Sequence, residues 1–185
     1  MCVICVKNRG IEMPDLETLR AAARCNPHGF GFVSSNGIYW RGLDFNELVR
    51  QLRRVGKEDA CIIHFRYATH GSHKKGNCHP FRSDDLYFAH NGVLPVRTYN
   101  DMTDSETVFR NVLVPVAKRH GIFSPIFERV VENEIHSSRF AFMQNGVIRL
   151  FGHWQTTDGG LVWSNLNFTY YLPNFYQYTP AWGIR

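Results

Sequence analysis

Short β-branched and aromatic runs at both ends of the chain, with helical periodicity confined to the middle, constrain this sequence more than any other feature. Residues 2–7 (CVICVK) read as a strand at the very N-terminus, because β-branched side chains suit a pleated, half-buried surface. The last third, in RFAFMQNGVIRLF, LVWSN and FTYYLP, reads as all strand, with a hairpin turn at Asn145-Gly146. Pro14 followed by DLETLRAAARC gives a helix with proline near its first turn, acids early and arginine late, and Asn26-Pro27 stops it. GFGFVSSNGIYWRG is a hairpin whose Asn36-Gly37 turn suits positive φ at both positions. Asp44 caps a second helix that buries Phe45, Leu48, Val49 and Leu52. Strands follow at 61–69 (CIIHFRYAT) and 86–94 (LYFAHNGVL). A third helix spans about Asp104 to His120, where Pro115 should kink or shorten it, and a shorter one covers 125–134. Strands first and last around helices in pairs predict an α+β layered fold with largely antiparallel sheets.

The 185 residues fit a single domain over 1–185, and no linker, repeat or shift in composition marks a boundary. No run approaches the roughly 18 apolar residues of a membrane span, and MCVICVKNRG lacks the features of a secretory signal. A cytoplasmic location without membrane association is the expectation. Five cysteines, odd in number and unevenly spaced, do not make a disulfide framework. The net charge of +5 raises the question of nucleic acid. Arg50, Arg53, Arg54 and Lys57, however, lie on the solvated side of an amphipathic helix, so nucleic-acid binding is not expected.

Four polar clusters sit at strand ends or in the loops after them. Cys2 becomes residue one if Met1 is removed. Its thiol then shares a residue with a free α-amine, a usable base near neutrality because it titrates near pH 8. In HFRYATHG (64–71), a strand delivers Arg66 into a loop that also presents Thr69 and His70. A planar guanidinium suits a carboxylate held by two hydrogen bonds. In FAHNG (88–92), Asn91 supplies an amide donor and Gly92 lets its backbone N–H approach a ligand, which together can form an oxyanion hole. TDSE (103–106) opens a helix with Asp104 in its first turn. Taken singly, each cluster has a plainer structural explanation: a packed strand cysteine, a surface arginine, a turn, a helix cap.

Their order along the chain is more specific. Met-Cys, RYATHG, Cys-His-Pro (78–80), AHNG and then DSE at a helix start resemble the class II glutamine amidotransferase (glutaminase) domain of the N-terminal-nucleophile hydrolases. Asn26–Gly31 (NPHGFG) resembles a further family segment, and Ser137-Ser138-Arg139 and Trp163-Ser164-Asn165 are weaker echoes. The resemblance implies a four-layer αββα sandwich of two mainly antiparallel sheets. It implies that Cys2 attacks a side-chain amide carbon, that Asn91 and Gly92 stabilise the oxyanion, and that Arg66, Thr69 and His70 hold the substrate α-carboxylate while Asp104 pairs with its α-ammonium. His79 matches a histidine near the family's site, without a role attached. The substrate implied is glutamine or a related γ-glutamyl amide, hydrolysed with no cofactor and no metal, and a separate ammonia-accepting synthase subunit is the protein partner such a domain would take.

The sequence departs from the family pattern in Val3, where glycine is usual, and in His28, where aspartate is frequent. A β-branched residue beside the nucleophile narrows the pocket, and the short chain resembles stand-alone members that cleave γ-glutamyl amides other than glutamine. Two other readings compete. Cys2 and Cys5 look like half of a zinc site, but side chains three apart on a strand point to opposite faces. A catalytically silent ligand- or partner-binding relative is the other.

Overall fold

The computed structural model describes residues 1–68, 72–98 and 102–173. Two antiparallel sheets lie between two helical layers. The first sheet runs, in spatial order, β3 (Tyr39–Gly42), β2 (Phe30–Ser34), β4 (Cys61–Phe65), β1 (Val3–Lys7), β10 (Val162–Trp163) and β9 (Gln155–Thr156). The second runs β5 (Phe81–Ser83), β6 (Leu86–Asn91), β7 (Arg139–Gln144) and β8 (Val147–Phe151).

Strand alternation explains the layering. Val3 and Cys5 of β1, Phe30 and Phe32 of β2, and Cys61, Ile63 and Phe65 of β4 face outward onto α1 (Leu16–Cys25) and α2 (Phe45–Leu52). Their neighbours Ile4, Val6, Val33 and Ile62 turn inward and meet Ala89, Ala141 and Met143 of the second sheet. The other face of that sheet, with Phe88, Phe140 and Phe142, packs on α5 (Pro125–Ile135) and on the helical run before it. Because β1, β2 and β4 are buried on both faces, they read as continuous apolar runs rather than alternating ones. The fold is therefore the α+β, four-layer αββα sandwich that the sequence pattern and the resemblance predict.

Several local expectations need correction. The 104–120 helix is continuous but not uniform: α3 (Asp104–Val108) passes through a π-helical turn (Phe109–Leu113) into α4 (Val114–His120). Pro115 has no N–H and crowds the carbonyl four residues earlier, and a widened turn just before it accommodates both without ending the helix. Pro14 lies outside α1, whose cap is Asp15, bonded to Thr18 N–H at 2.7 Å. The strand expected at 86–94 stops at Asn91, and the one at 61–69 stops at Phe65. At the first hairpin, positive φ occurs at Gly37 but not at Asn36, whose side chain instead accepts from Ile38 N–H and donates to Asp59. The second hairpin does place both Asn145 and Gly146 at positive φ. FTYY is not a strand: Asn167–Tyr171 forms a 3-10 helix, with the ring of Phe168 4.4 Å from that of Trp163.

Candidate active site

The same alternation that builds the core builds the site. Inward-facing positions at one end of the sandwich are Cys2 just before β1, His64 on β4 and Arg66 just after it, with Asn91 opposite at the end of β6. Cys5 is on the outward face of β1, so the two cysteines of the zinc reading point apart. Among the described residues no group of three or more His, Cys, Asp or Glu side chains is placed to hold a metal.

Cys2 is half-buried, and Tyr67 N–H donates to its sulfur at 3.4 Å. Burial pushes the thiol pKa up; the Tyr67 N–H, the chain's N-terminal charge and the Arg66 guanidinium pull it down, and Asp104 opposes them. The thiol thus stays protonated near neutrality and needs a base. Within a chain that keeps Met1, the Cys2 nitrogen is an amide and cannot serve.

The strand that follows Cys2 is clamped by residues the sequence marked only as a faint echo. Ser164 Oγ accepts from Ile4 N–H at 2.9 Å and Ser164 N–H donates back to Ile4 O at 2.9 Å. Asn165 Nδ2 donates to the Cys2 carbonyl at 2.8 Å. Asn91 Nδ2 donates to the same Ser164 Oγ at 2.9 Å, so one hydroxyl ties the end of β6 to β1. A polar Ser-Asn pair closing an apolar strand was the available signal, but its partners Ile4 and Cys2 lie 160 and 163 residues away and no local pattern names them.

After Asn91 the chain turns through Gly92 at φ 151°, a conformation that L side chains rarely adopt. A Cβ there would overlap Ser138 Oγ and stand 2.7 Å from Ser138 Cβ, so glycine is required on two counts. Asp104 follows Thr103, which caps α3 by accepting from Glu106 N–H. Its carboxylate accepts from Leu94 N–H at 2.8 Å and from Ser105 N–H at 2.8 Å. Arg66 is buried, and its Nη1 donates to Ser72 O at 3.1 Å. Cys2, Arg66, Asn91, Gly92 and Asp104 therefore share one end of the molecule, while Thr69 and His70 lie outside the described residues.

His28, one of the departures, forms a wall beside Tyr67 and Ala68, next to Cys2. Its Nδ1 accepts from Ala68 N–H at 2.9 Å, and its ring stacks on His73 at 4.0 Å and meets Tyr67 at 4.9 Å. Behind the site, His64, His79 and His90 are buried together, with the His64 and His79 rings 4.3 Å apart. Burial holds His64 down to about 3 and His90 to about 4, and it drives His79 well below the ordinary value.

These depressed values carry a prediction about acid stability. Groups with an ordinary pKa of 6.5 that are neutral in the fold add nothing to instability above that pH. As pH falls below 6.5 toward 4, the unfolded chain takes up protons that the folded one refuses, so stability is lost. Each histidine contributes about 1.4 kcal/mol per pH unit over that interval. Urea midpoints at pH 7 and pH 4.5 should differ by an amount equivalent to several kcal/mol. Equal midpoints would show that the histidine cluster is not neutral and dry in the fold.

A family model described as class II glutamine amidotransferases matches residues 44–151. Among solved structures, glutamine phosphoribosylpyrophosphate amidotransferase from B. subtilis, complexed with ADP and GMP, is similar with a TM-score of 0.54 and 22% identity over 89% of this chain. A structure described as the allosteric regulatory enzyme of purine biosynthesis gives 0.56 and 19% identity, again over 89% of the chain. The match spans 42% of the length of each of these structures. No curated protein matches. At such identities the two structures speak for the fold alone, the sandwich of two antiparallel sheets between helical layers.

Proposed function

This chain belongs to the class II glutamine amidotransferases, and on that premise we propose that it hydrolyses the side-chain amide of glutamine or a related γ-glutamyl amide through Cys2. The observation that carries the reading is the convergence of Cys2, Arg66, Asn91 and Asp104 on one end of the gap between the sheets. Once Met1 is removed, the Cys2 α-amine takes the thiol proton as sulfur attacks the amide carbon. The oxyanion that forms is met by the Asn91 amide and the Gly92 N–H. The amine then gives its proton to the leaving nitrogen, the C–N bond breaks, and ammonia or an amine departs from a γ-glutamyl thioester. Water attacks the thioester, the C–S bond breaks, and glutamate and the free thiol are regenerated.

Arg66 pairs with the substrate α-carboxylate, with Thr69 and His70 in support, and Asp104 pairs with the α-ammonium. The fit is electrostatic: a buried guanidinium and a carboxylate both act on the Cys2 thiol, one lowering and one raising its pKa, so each stands within reach of a substrate bound there. We read residues 1–185 as one domain without a cofactor, acting in the cytoplasm. Among the described residues no helix is long and apolar enough to cross a membrane. Ammonia released here would go to water or to a separate acceptor synthase.

The test is glutamate release from glutamine and a panel of γ-glutamyl amides, using protein whose intact mass shows that Met1 is gone. No release from any member by the processed protein refutes the reading. Protein that retains Met1 should be inert in the same assay. Arg66→Lys keeps the charge but loses the two-pronged grip, and it should raise KM about ten- to a hundred-fold, the scale of a lost charge-assisted hydrogen bond. An unchanged KM would remove Arg66 from the carboxylate site.

A further inference from the structure

We propose that His90 is a positioning residue that, through Ser105, locks the oxyanion segment Asn91-Gly92 to the Asp104 carboxylate. The inference rests on the hydrolytic reading above and deepens it. His90 Nδ1 is hydrogen-bonded to Ser105 Oγ at 2.6 Å, and Ser105 Oγ lies 3.2 Å from Asp104 Oδ1, its second partner. The other Asp104 oxygen accepts from Leu94 N–H, two residues past Gly92. The chain from His90 through Asn91, Gly92 and Leu94 is thereby closed into a ring by Asp104 and Ser105.

Alternation along β6 makes this arrangement possible. Asn91 points into the gap between the sheets, where it meets Ser164. His90 points the opposite way, onto the helical layer, with its ring among Phe88 and Phe140. The backbone between the two is also held from the other sheet, since His64 Nε2 is hydrogen-bonded to the His90 carbonyl at 3.2 Å. Among the described residues His90 Nε2 has no hydrogen-bond partner, and it stands 3.0 Å from where a Cβ on Gly92 would be, so the ring also backs the turn at that glycine. The ring lies on the helical side of β6, across the strand from the gap that holds Cys2 and Asn91. Its influence passes through the angle at which Asn91 and Gly92 face Cys2, and small displacements of such donors are costly because their work is done in the transition state.

Two variants test this. His90→Phe keeps the ring volume and the aromatic packing but removes the bond to Ser105. Ser105→Ala breaks the same link from the helix side. In the processed enzyme, each should lower kcat about ten- to a hundred-fold with KM within about two-fold, on the scale of a misplaced donor. The double variant should be no worse than the more damaged single one, because both cut one chain. His90→Asn, whose amide can reach Ser105, should recover part of the loss. Multiplicative losses, or an unchanged kcat in Ser105→Ala, would overturn the proposal.

A second measurement does not depend on turnover. In 1H–15N spectra, Ser105→Ala should shift the Gly92 amide in the same direction as His90→Phe does, although Ser105 lies on α3. A Gly92 resonance unmoved by Ser105→Ala overturns the positioning role whatever the activity. A shifted Gly92 in a protein that hydrolyses no γ-glutamyl amide would instead keep the link and refute the hydrolytic reading.

Discussion

Cys2→Ala is expected to abolish glutamate release while leaving the fold intact. Removing the sulfur removes the covalent route entirely, and nothing else among the described residues at this end of the sandwich offers a nucleophile with a base on the same residue. Losses of this kind in enzymes with covalent intermediates reach about a million-fold. The fold should survive because Cys2 precedes the first strand and is anchored by its backbone carbonyl, which receives Asn165, while its sulfur makes only long contacts to the Tyr67 backbone. Thermal unfolding should therefore stay close to that of the parent protein. A Cys2→Ala protein that still turns over would move the chemistry elsewhere. One that is silent and also unfolded would be answered by Cys2→Ser, which keeps a hydroxyl near the sulfur's place.

The second large effect belongs to Asn91. Replacing it with alanine should lower kcat about a hundred- to a thousand-fold, the usual cost of one oxyanion donor, with little change in KM. The variant also deletes the bond to Ser164, so part of the loss could come from a displaced β1. Ser164→Ala separates the two contributions: it cuts the bridge and leaves the amide in place. If Ser164→Ala matches Asn91→Ala in kcat, the asparagine acts as a strap rather than a donor. Gly92→Ala is a harsher probe, because its Cβ would collide with Ser138 and its backbone angle would be strained. It should reduce stability and turnover together.

Much of this candidate site was legible in the sequence because its residues fall in local motifs. Asn91 and Gly92 are adjacent, Arg66 ends a recognisable strand, and Asp104 opens a helix behind a capping threonine. What was not legible depends on distance or on competition between local rules. Ser164 and Asn165 act on Ile4 and Cys2, and only the docking of β10 brings them there. FTYY satisfies the local preferences for a strand, yet Phe168 packs on Trp163 and the segment lies against α1 as a 3-10 helix. Pro115 predicts a kink or a shortened helix, but a single π turn absorbs the missing donor, and the sequence carries no separate sign of that. His90 reads as one more residue of a motif. That it points away from the site, into Ser105, follows only once the parity of β6 is known.

The clamp on β1 has a consequence for how the molecule comes into being. β1, which precedes every other described strand in the chain, is an interior strand of the finished sheet, flanked by β4 on one side and by β10 on the other. During synthesis, some 160 residues must emerge before Ser164 can reach Ile4. Until then, one edge of β1 has open backbone donors and acceptors, and the residue beside it carries a thiol. β1, made before the other described strands, is thus among the last to be locked in place, and an interrupted product that stops short of β10 would carry Cys2 on an unfinished edge with no hydroxyl to hold Asn91 opposite it.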